Sequence, residues 1–155
     1  MRLTVVAVGR FGAGRGAAER TLFDDYIKRL SQPFELKEVT EKRPLPAAQL
    51  RQREGTLLLA RVPEGAEVVA LDAGGRVLSS AALAKRLGKW QATGIRDLAF
   101  IIGGAEGLDT AVLERANLVL SLGAMTWPHL LVRAMLAEQL YRSSTLISGH
   151  PYHRA

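Results

Sequence analysis

Residues Phe100–Arg142 read FIIGGAEGLDTAVLERANLVLSLGAMTWPHLLVRAMLAEQLYR. An apolar run, Leu98–Ile102, breaks at Gly103-Gly104-Ala105-Glu106-Gly107, and a short helical segment follows. A second apolar run, Leu118–Leu122, breaks at Gly123. After Thr126-Trp127-Pro128 the pattern becomes that of a long amphipathic helix, with proline where a helix's first turn needs no N–H. Two strands that each end in a glycine turn feeding a helix are the building unit of an open α/β sheet. In such sheets ligands bind beyond the carboxyl ends of the strands, where small residues let them approach the backbone.

The same alternation continues upstream. Arg2–Val8 alternates little and is rich in β-branched residues, which predicts a buried strand, followed by a glycine-rich turn, Gly9–Gly16, and a helix from Ala17 to Leu30. The apolar face of that helix carries Leu22, Phe23, Tyr26 and Ile27. Phe34–Val39 predicts a second strand and Pro46–Ala60 its helix, while Ala66–Leu71 predicts a third strand that stops at Asp72-Ala73-Gly74-Gly75. Ser79 or Ser80 caps the next helix, which buries Leu83, Leu87 and Trp90, and Asp109 caps a short one. Strand and helix alternate, so the expected fold is α/β, a mostly parallel sheet with helices on both faces. At 155 residues without a linker or repeat, one domain over residues 1–155 is expected.

Composition narrows the function classes. No cysteine is present, which excludes disulfides, thiolate metal sites and a cysteine nucleophile, and fits a reducing, cytoplasmic setting. The apolar run in MRLTVVAVGR is too short for a signal peptide, and no segment has transmembrane length. The net charge of +6 favours a polyanionic partner, nucleic acid before membrane.

Four motifs carry candidate chemistry. Gly12-Ala13-Gly14-Arg15-Gly16-Ala17 is a literal G-x-G-x-x-A between a strand and a helix, with Glu38 where a ribose-binding acid would be sought. Its first glycine arrives several residues late for the tight turn, and Arg10 and Arg15 make it a basic loop rather than a dinucleotide fingerprint. The three strand ends at Leu71-Asp72, Gly103–Gly107 and Leu122–Trp127 lack the G-K-[ST] of a triphosphate loop. Apolar flanks with the acids Asp72 and Glu106 suit an adenine held by backbone groups better than a phosphate. The tail, Gly149-His150-Pro151-Tyr152-His153-Arg154, combines stacking surface and cations. Its histidines have only His129 as a further histidine, so no metal site is expected. On the last helix, His129 with Arg133 and Glu138 with Arg142 are pairs four apart on a shared face. Either they are surface pairs or they set an arginine and a carboxylate beside the site.

Taken together, Leu3–Gly9 (LTVVAVG), Leu71-Asp72, Ile102–Leu108 (IGGAEGL), Ser121–His129 (SLGAMTWPH), Leu131-Val132-Arg133, Ala137–Arg142 (AEQLYR) and Gly149–Arg154 (GHPYHR) resemble the SPOUT superfamily. Within it the chain is similar to the small bacterial family of ribosomal RNA large subunit methyltransferase H, over its whole length. The resemblance implies a C-terminal trefoil knot, an obligate homodimer, S-adenosylmethionine as cofactor, and methylation of N3 of a pseudouridine in 23S ribosomal RNA, free or in the assembled ribosome. It further implies that Leu71, Gly103 and the run Leu122, Gly123, Ala124, Met125, Thr126 and Trp127 hold the cofactor. His129, Arg133, Arg142, Tyr152, His153 and Arg154 would serve the RNA. Gly123 and Trp127 depart from the serine or alanine and the aliphatic residue the family pattern leads one to expect. An imide nitrogen attacks a sulfonium methyl only as its proton leaves, so catalysis should rest on positioning and on cations that acidify the imide. Arg133, Arg142, His153 and Arg154 are the cationic candidates, and Glu138 or a histidine the base. The rival reading is a non-catalytic basic RNA-binding or ribosome-associated module.

Overall fold

The structure, a computed structural model, describes residues 1–154, with side chains through Tyr152. Five strands form one sheet: β1 (Arg2–Val8), β2 (Phe34–Val39), β3 (Glu67–Val77), β4 (Asp97–Ile102) and β5 (Leu118–Ser121), in the order β2-β1-β4-β3-β5. Every pairing is parallel, as the alternating pattern requires. The helices are α1 (Ala17–Ile27), α2 (Ala47–Leu59), α3 (Ser80–Ala92), α4 (Thr110–Arg115) and α5 (His129–Ser148), and a 3-10 turn covers Pro151–Arg154.

The central strands are apolar on both sides because both faces are covered. In β4, Leu98, Phe100 and Ile102 join Leu83, Leu87, Trp90, Leu136 and Leu140 beneath α3 and α5. Ala99 and Ile101 point the other way, toward Leu58 of α2 and Val112 of α4. Helix α1 packs beside α5 through Phe23, Ala134 and Ala137. Ser79 caps α3 by accepting from the Ala82 amide, and Asp109 caps α4 by accepting from that of Ala111.

Two expectations need correction. Leu22 of α1 is 45% exposed rather than on the buried face. The third strand does not stop at Leu71. It bulges through residues 72–75 and pairs with β5 again, so that both Leu71 and Arg76 face Leu120. The bulge is possible because Gly75 lies against β5: a Cβ there would come within 2.6 Å of the Val119 carbonyl oxygen. The helix α5 ends at Gly149, whose φ of 75° is the left-handed cap, and the His150 amide closes it on the Thr145 carbonyl.

Candidate functional site

At the carboxyl ends of the strands the three glycine loops converge on one cleft of about 570 Å³. Leu71 and Asp72 come from β3, Gly103, Gly104 and Gly107 from the β4–α4 loop, and Leu122, Gly123, Met125, Thr126 and Trp127 from the β5–α5 loop. The sequence-predicted cofactor residues therefore meet, Ala124 alone not lining the wall. Ile102, Leu108 and Val132, which lie within the quoted motifs but were given no cofactor role, add apolar wall.

The glycines have distinct jobs. A Cβ at Gly103 would meet the Gly107 carbonyl at 3.0 Å and one at Gly104 would meet Val8 Cγ1 at 2.9 Å, so these two keep the loop tight on itself and on β1. Gly107 and Gly123 have φ of 77° and 114°, and a Cβ on either would project into open space. Their backbones are thus exposed to the cleft. The volume, the apolar walls and the open backbone fit an adenosine-sized ligand bound by main-chain groups. S-adenosylmethionine fits such a cradle.

His129, the first residue of α5, lines the same cleft, its Nε2 3.4 Å from where a Cβ of Gly9 would stand. Burial, followed by the charges of Arg133 and Arg15, lowers its pKa below 6.5. The imidazole is neutral at pH 7 and can accept a proton. A proton NMR titration should place its midpoint below the ordinary histidine value. The unfolded chain then binds the proton first as pH falls, so stability declines on acidification through about pH 6.5. His129→Gln should remove that slope.

Arg133 does not reach the substrate side. It has no exposed surface, and its Nη1 donates to Glu38 Oε2 at 2.7 Å. Its Nη2 donates to the carbonyls of Val8 and Gly9 at 2.9 and 2.8 Å, and the guanidinium stacks 4.6 Å from the centroid of Phe11. Burial pulls its pKa down and Glu38, the one carboxylate paired with it among the described residues, opposes this. The expectation that Arg133 touches RNA is corrected to a structural role, as is the surface pair with His129. Glu38 is committed too, its Oε2 also accepting from the Phe11 amide at 3.1 Å, so it is no ribose-binding acid.

Glu138 and Arg142 do pair, through Nη2 at 2.6 Å and Nε at 2.9 Å, but away from this cleft. They belong with the tail. The Tyr152 hydroxyl donates to Glu138 Oε1 at 3.1 Å and lies 3.3 Å from that of Tyr26, and its ring packs edge-on against Tyr141 at 4.7 Å. Burial first, then these neighbours, raises the Tyr152 pKa and keeps the phenol protonated. Gln139 donates to Glu138 Oε2 and accepts from Ser80, two partners no motif announced. Glu138 lines a second, largely apolar cavity of about 440 Å³ between α1, α3 and α5. The cavities share only Leu122 and Gly123, which stand between them. Within one chain the cofactor residues with His129 form one group, and Glu138, Arg142 and Tyr152 another. The side chains of His153 and Arg154 lie outside the described residues. Among those residues no three His, Asp or Glu side chains gather as a metal site, and no helix is long and apolar enough to cross a membrane.

Comparison with known proteins follows the same lines. Residues 1–153 match a family model described as "Predicted SPOUT methyltransferase". A protein of Paramagnetospirillum magneticum named ribosomal RNA large subunit methyltransferase H is 57% identical over 99% of each chain. One of the same name from Rhodospirillum centenum is 51% identical over the full length of both. Among solved structures, a probable methylase family protein from Haemophilus influenzae superposes with a TM-score of 0.60 at 10% identity, over 97% of this chain and 69% of that one. A putative methyltransferase from Legionella pneumophila, solved with bound SAM, has a TM-score of 0.50 at 11% identity, over 93% of this chain and 66% of that one. At such identities these structures speak to the fold alone.

Proposed function

The chain belongs to the SPOUT methyltransferase family, and from that premise we propose that it methylates N3 of a pseudouridine in large-subunit ribosomal RNA, as a cytoplasmic homodimer of one-domain subunits. The observation that carries the reading is the convergence of three strand-end loops on one apolar cleft with open backbone, in a chain similar over its full length to proteins named for this activity.

When bound, S-adenosylmethionine supplies an electrophilic sulfonium methyl. The chain's residues would do the rest. Leu71 and the run Leu122–Trp127 would wall the adenosine, with Gly103 holding the loop beneath it. His129, neutral and on the cleft wall, would take the N3 proton as the N–C bond forms. The Glu138–Arg142 pair, Tyr152, His153 and Arg154 would reach the cleft of the other subunit, since in their own chain Glu138 lines the second cavity. A site shared between copies is what makes the dimer obligatory in this reading. The C-terminal knot belongs to the same reading, the strand order and the β5–α5 loop being compatible with it.

Calorimetry with S-adenosylhomocysteine and with NAD, then methyl transfer to large-subunit RNA followed by nucleoside analysis, tests this. Binding of NAD alone, or label appearing on no uracil-type nucleoside, would overturn it. Gly123→Val should weaken S-adenosylhomocysteine by about tenfold or more, because φ of 114° costs a β-branched residue roughly 1–3 kcal/mol and forces the cleft-lining loop to shift. Unchanged affinity in the folded variant would remove this loop from the site.

A further inference from the structure

The Gly9–Gly16 loop carries no role in the reaction just described, yet its backbone is fixed. Phe11 is the pin: it is buried, its ring lies 5.5 Å from that of Phe23, and the Arg133 guanidinium lies 4.6 Å from its centroid. The Gly12 amide closes a tight turn on the Arg15 carbonyl at 3.0 Å, and Gly16 turns at φ of 85° against Leu130. What this rigid loop presents to solvent is Arg10 and Arg15, both exposed. Seven other arginines pair with carboxylates, while Arg10 and Arg15 have no ion pair among the described residues.

The loop stands at the mouth of the cleft. Gly9, next to Arg10, abuts His129, and Arg15 is close enough for its charge to act on that imidazole. From β5, at the edge of the sheet, the Leu122–Pro128 segment crosses the strand ends to reach this same point. It therefore sets Trp127 two residues from His129, at most about 7 Å along the chain. Trp127 lines the cleft but is not sealed by it, being 39% exposed, and Met125 beside it is 74% exposed. An open indole and two guanidinium groups without an ion pair among the described residues, all near the candidate base, form a combination with a clear chemical preference. Aromatic faces stack on bases that have left their helix, and arginine forks grip phosphate oxygens. A duplex would offer the phosphates but no free base face, and an acidic peptide no base at all.

Resting on the methyltransferase reading above, we infer that the mouth of the cleft seats an unpaired RNA strand, with a base stacked on Trp127 and flanking phosphates held by Arg10 and Arg15. The substrate is thus taken as single-stranded or everted RNA.

The chain has two tryptophans, and Trp90 is buried at 8% exposure, so accessible indole emission reports on Trp127. The protein saturated with S-adenosylhomocysteine is titrated with a short unstructured RNA. Emission should be quenched, Trp127→Phe should abolish the quench, and a blunt duplex of equal length should not produce it. The double variant Arg10→Ala/Arg15→Ala should bind the RNA about tenfold more weakly at low salt. Its log-affinity against log-salt slope should fall by roughly 1.4, two phosphates at about 0.7 each for single strands, with S-adenosylhomocysteine affinity unchanged. No quench beyond that caused by the small ligand, quenching by polyglutamate as strong as by RNA, or an unchanged salt slope would each overturn the inference. If the wild type binds no S-adenosylhomocysteine while RNA still quenches Trp127, the cofactor reading fails and the strand seat stands.

Discussion

Replacing Arg133 by alanine should cost the native state about 3–5 kcal/mol, the range for removing one member of a buried ion pair. Four losses coincide. Glu38 keeps a carboxylate whose side chain is only 22% exposed and loses its partner at 2.7 Å. The carbonyls of Val8 and Gly9 lose their donor at the end of β1. Phe11 loses the guanidinium that covers its ring, and a cavity opens between α5 and the sheet. With a urea slope of about 2 kcal/mol/M, the unfolding midpoint should fall by roughly 2 M. Arg133→Lys should recover only part of this, since an ammonium cannot serve a carboxylate and two carbonyls from one planar fork. Arg133→Met with Glu38→Leu should recover roughly half, because the unpaired carboxylate is gone while the two carbonyls remain orphaned. A cost under about 1 kcal/mol for Arg133→Ala would mean that this cluster does not hold the loop. If the variant instead stays fully stable and loses RNA affinity in a salt-dependent way, Arg133 is a surface group and its burial is wrong.

That residue also marks where sequence reasoning runs out. Its spacing from His129 placed the two on one helical face, and a polar face is ordinarily a solvated one. What buries Arg133 is Glu38, 95 residues away on β2, brought near only by parallel pairing of β1 with β2. No local pattern encodes such a partner. The strands β1 and β2 were legible to their last residue because a run rich in β-branched residues in β1, and alternating apolar residues after Pro33 in β2, leave little choice of boundary. By contrast β3 was cut short, since Gly74-Gly75 reads as punctuation. Only the approach of Gly75 to Val119 shows that the glycines serve a bulge inside a continuing strand.

The site divided in the same manner. Three glycine loops at strand ends could be expected to meet, because every strand of a parallel sheet delivers its carboxyl end to one edge. Glu138 was expected near them on the ground that α5 begins there. Nine residues of α-helix from His129 amount to about 13 Å, and the direction at that turn is set by packing against α1 and α3 rather than by the helix start. The pairing of Glu138 with Arg142 was legible from its spacing; its surroundings were not. Tyr26, Tyr141 and Tyr152 come from α1, α5 and the tail, and only the fold joins them.

Removing the residues after Gly149 should reduce single-turnover methyl transfer by about a hundredfold or more, the scale expected when a reacting pair loses its positioning. The helix should survive, since Gly149 closes it and the cut falls beyond that cap, although the His150 amide bond to Thr145 is lost. Tyr152 is only partly buried and contributes edge contact to Tyr141 and one hydrogen bond to Glu138, so the stability change should stay within about 1–2 kcal/mol. Glu138 then retains Arg142 and Gln139 but loses the phenol, which leaves the pair geometrically freer. Affinity for S-adenosylhomocysteine should hardly change, because none of the cleft-lining residues lies after Val132. The rate should stay low at saturating RNA, and added salt should not imitate the defect in the full-length protein. Mixing the truncated chain with an Arg142→Ala chain refines the prediction. If the tail and the Glu138–Arg142 pair act together on the other copy's cleft, neither chain of that mixed dimer carries an intact set and the activity stays low, whereas mixing the truncated chain with a Gly123→Val chain joins one intact cleft to one intact set and regains part of the activity. Were the truncated protein to reach its full rate when RNA concentration is raised, the tail would supply binding energy alone, and its place in the reacting site would have to be given up.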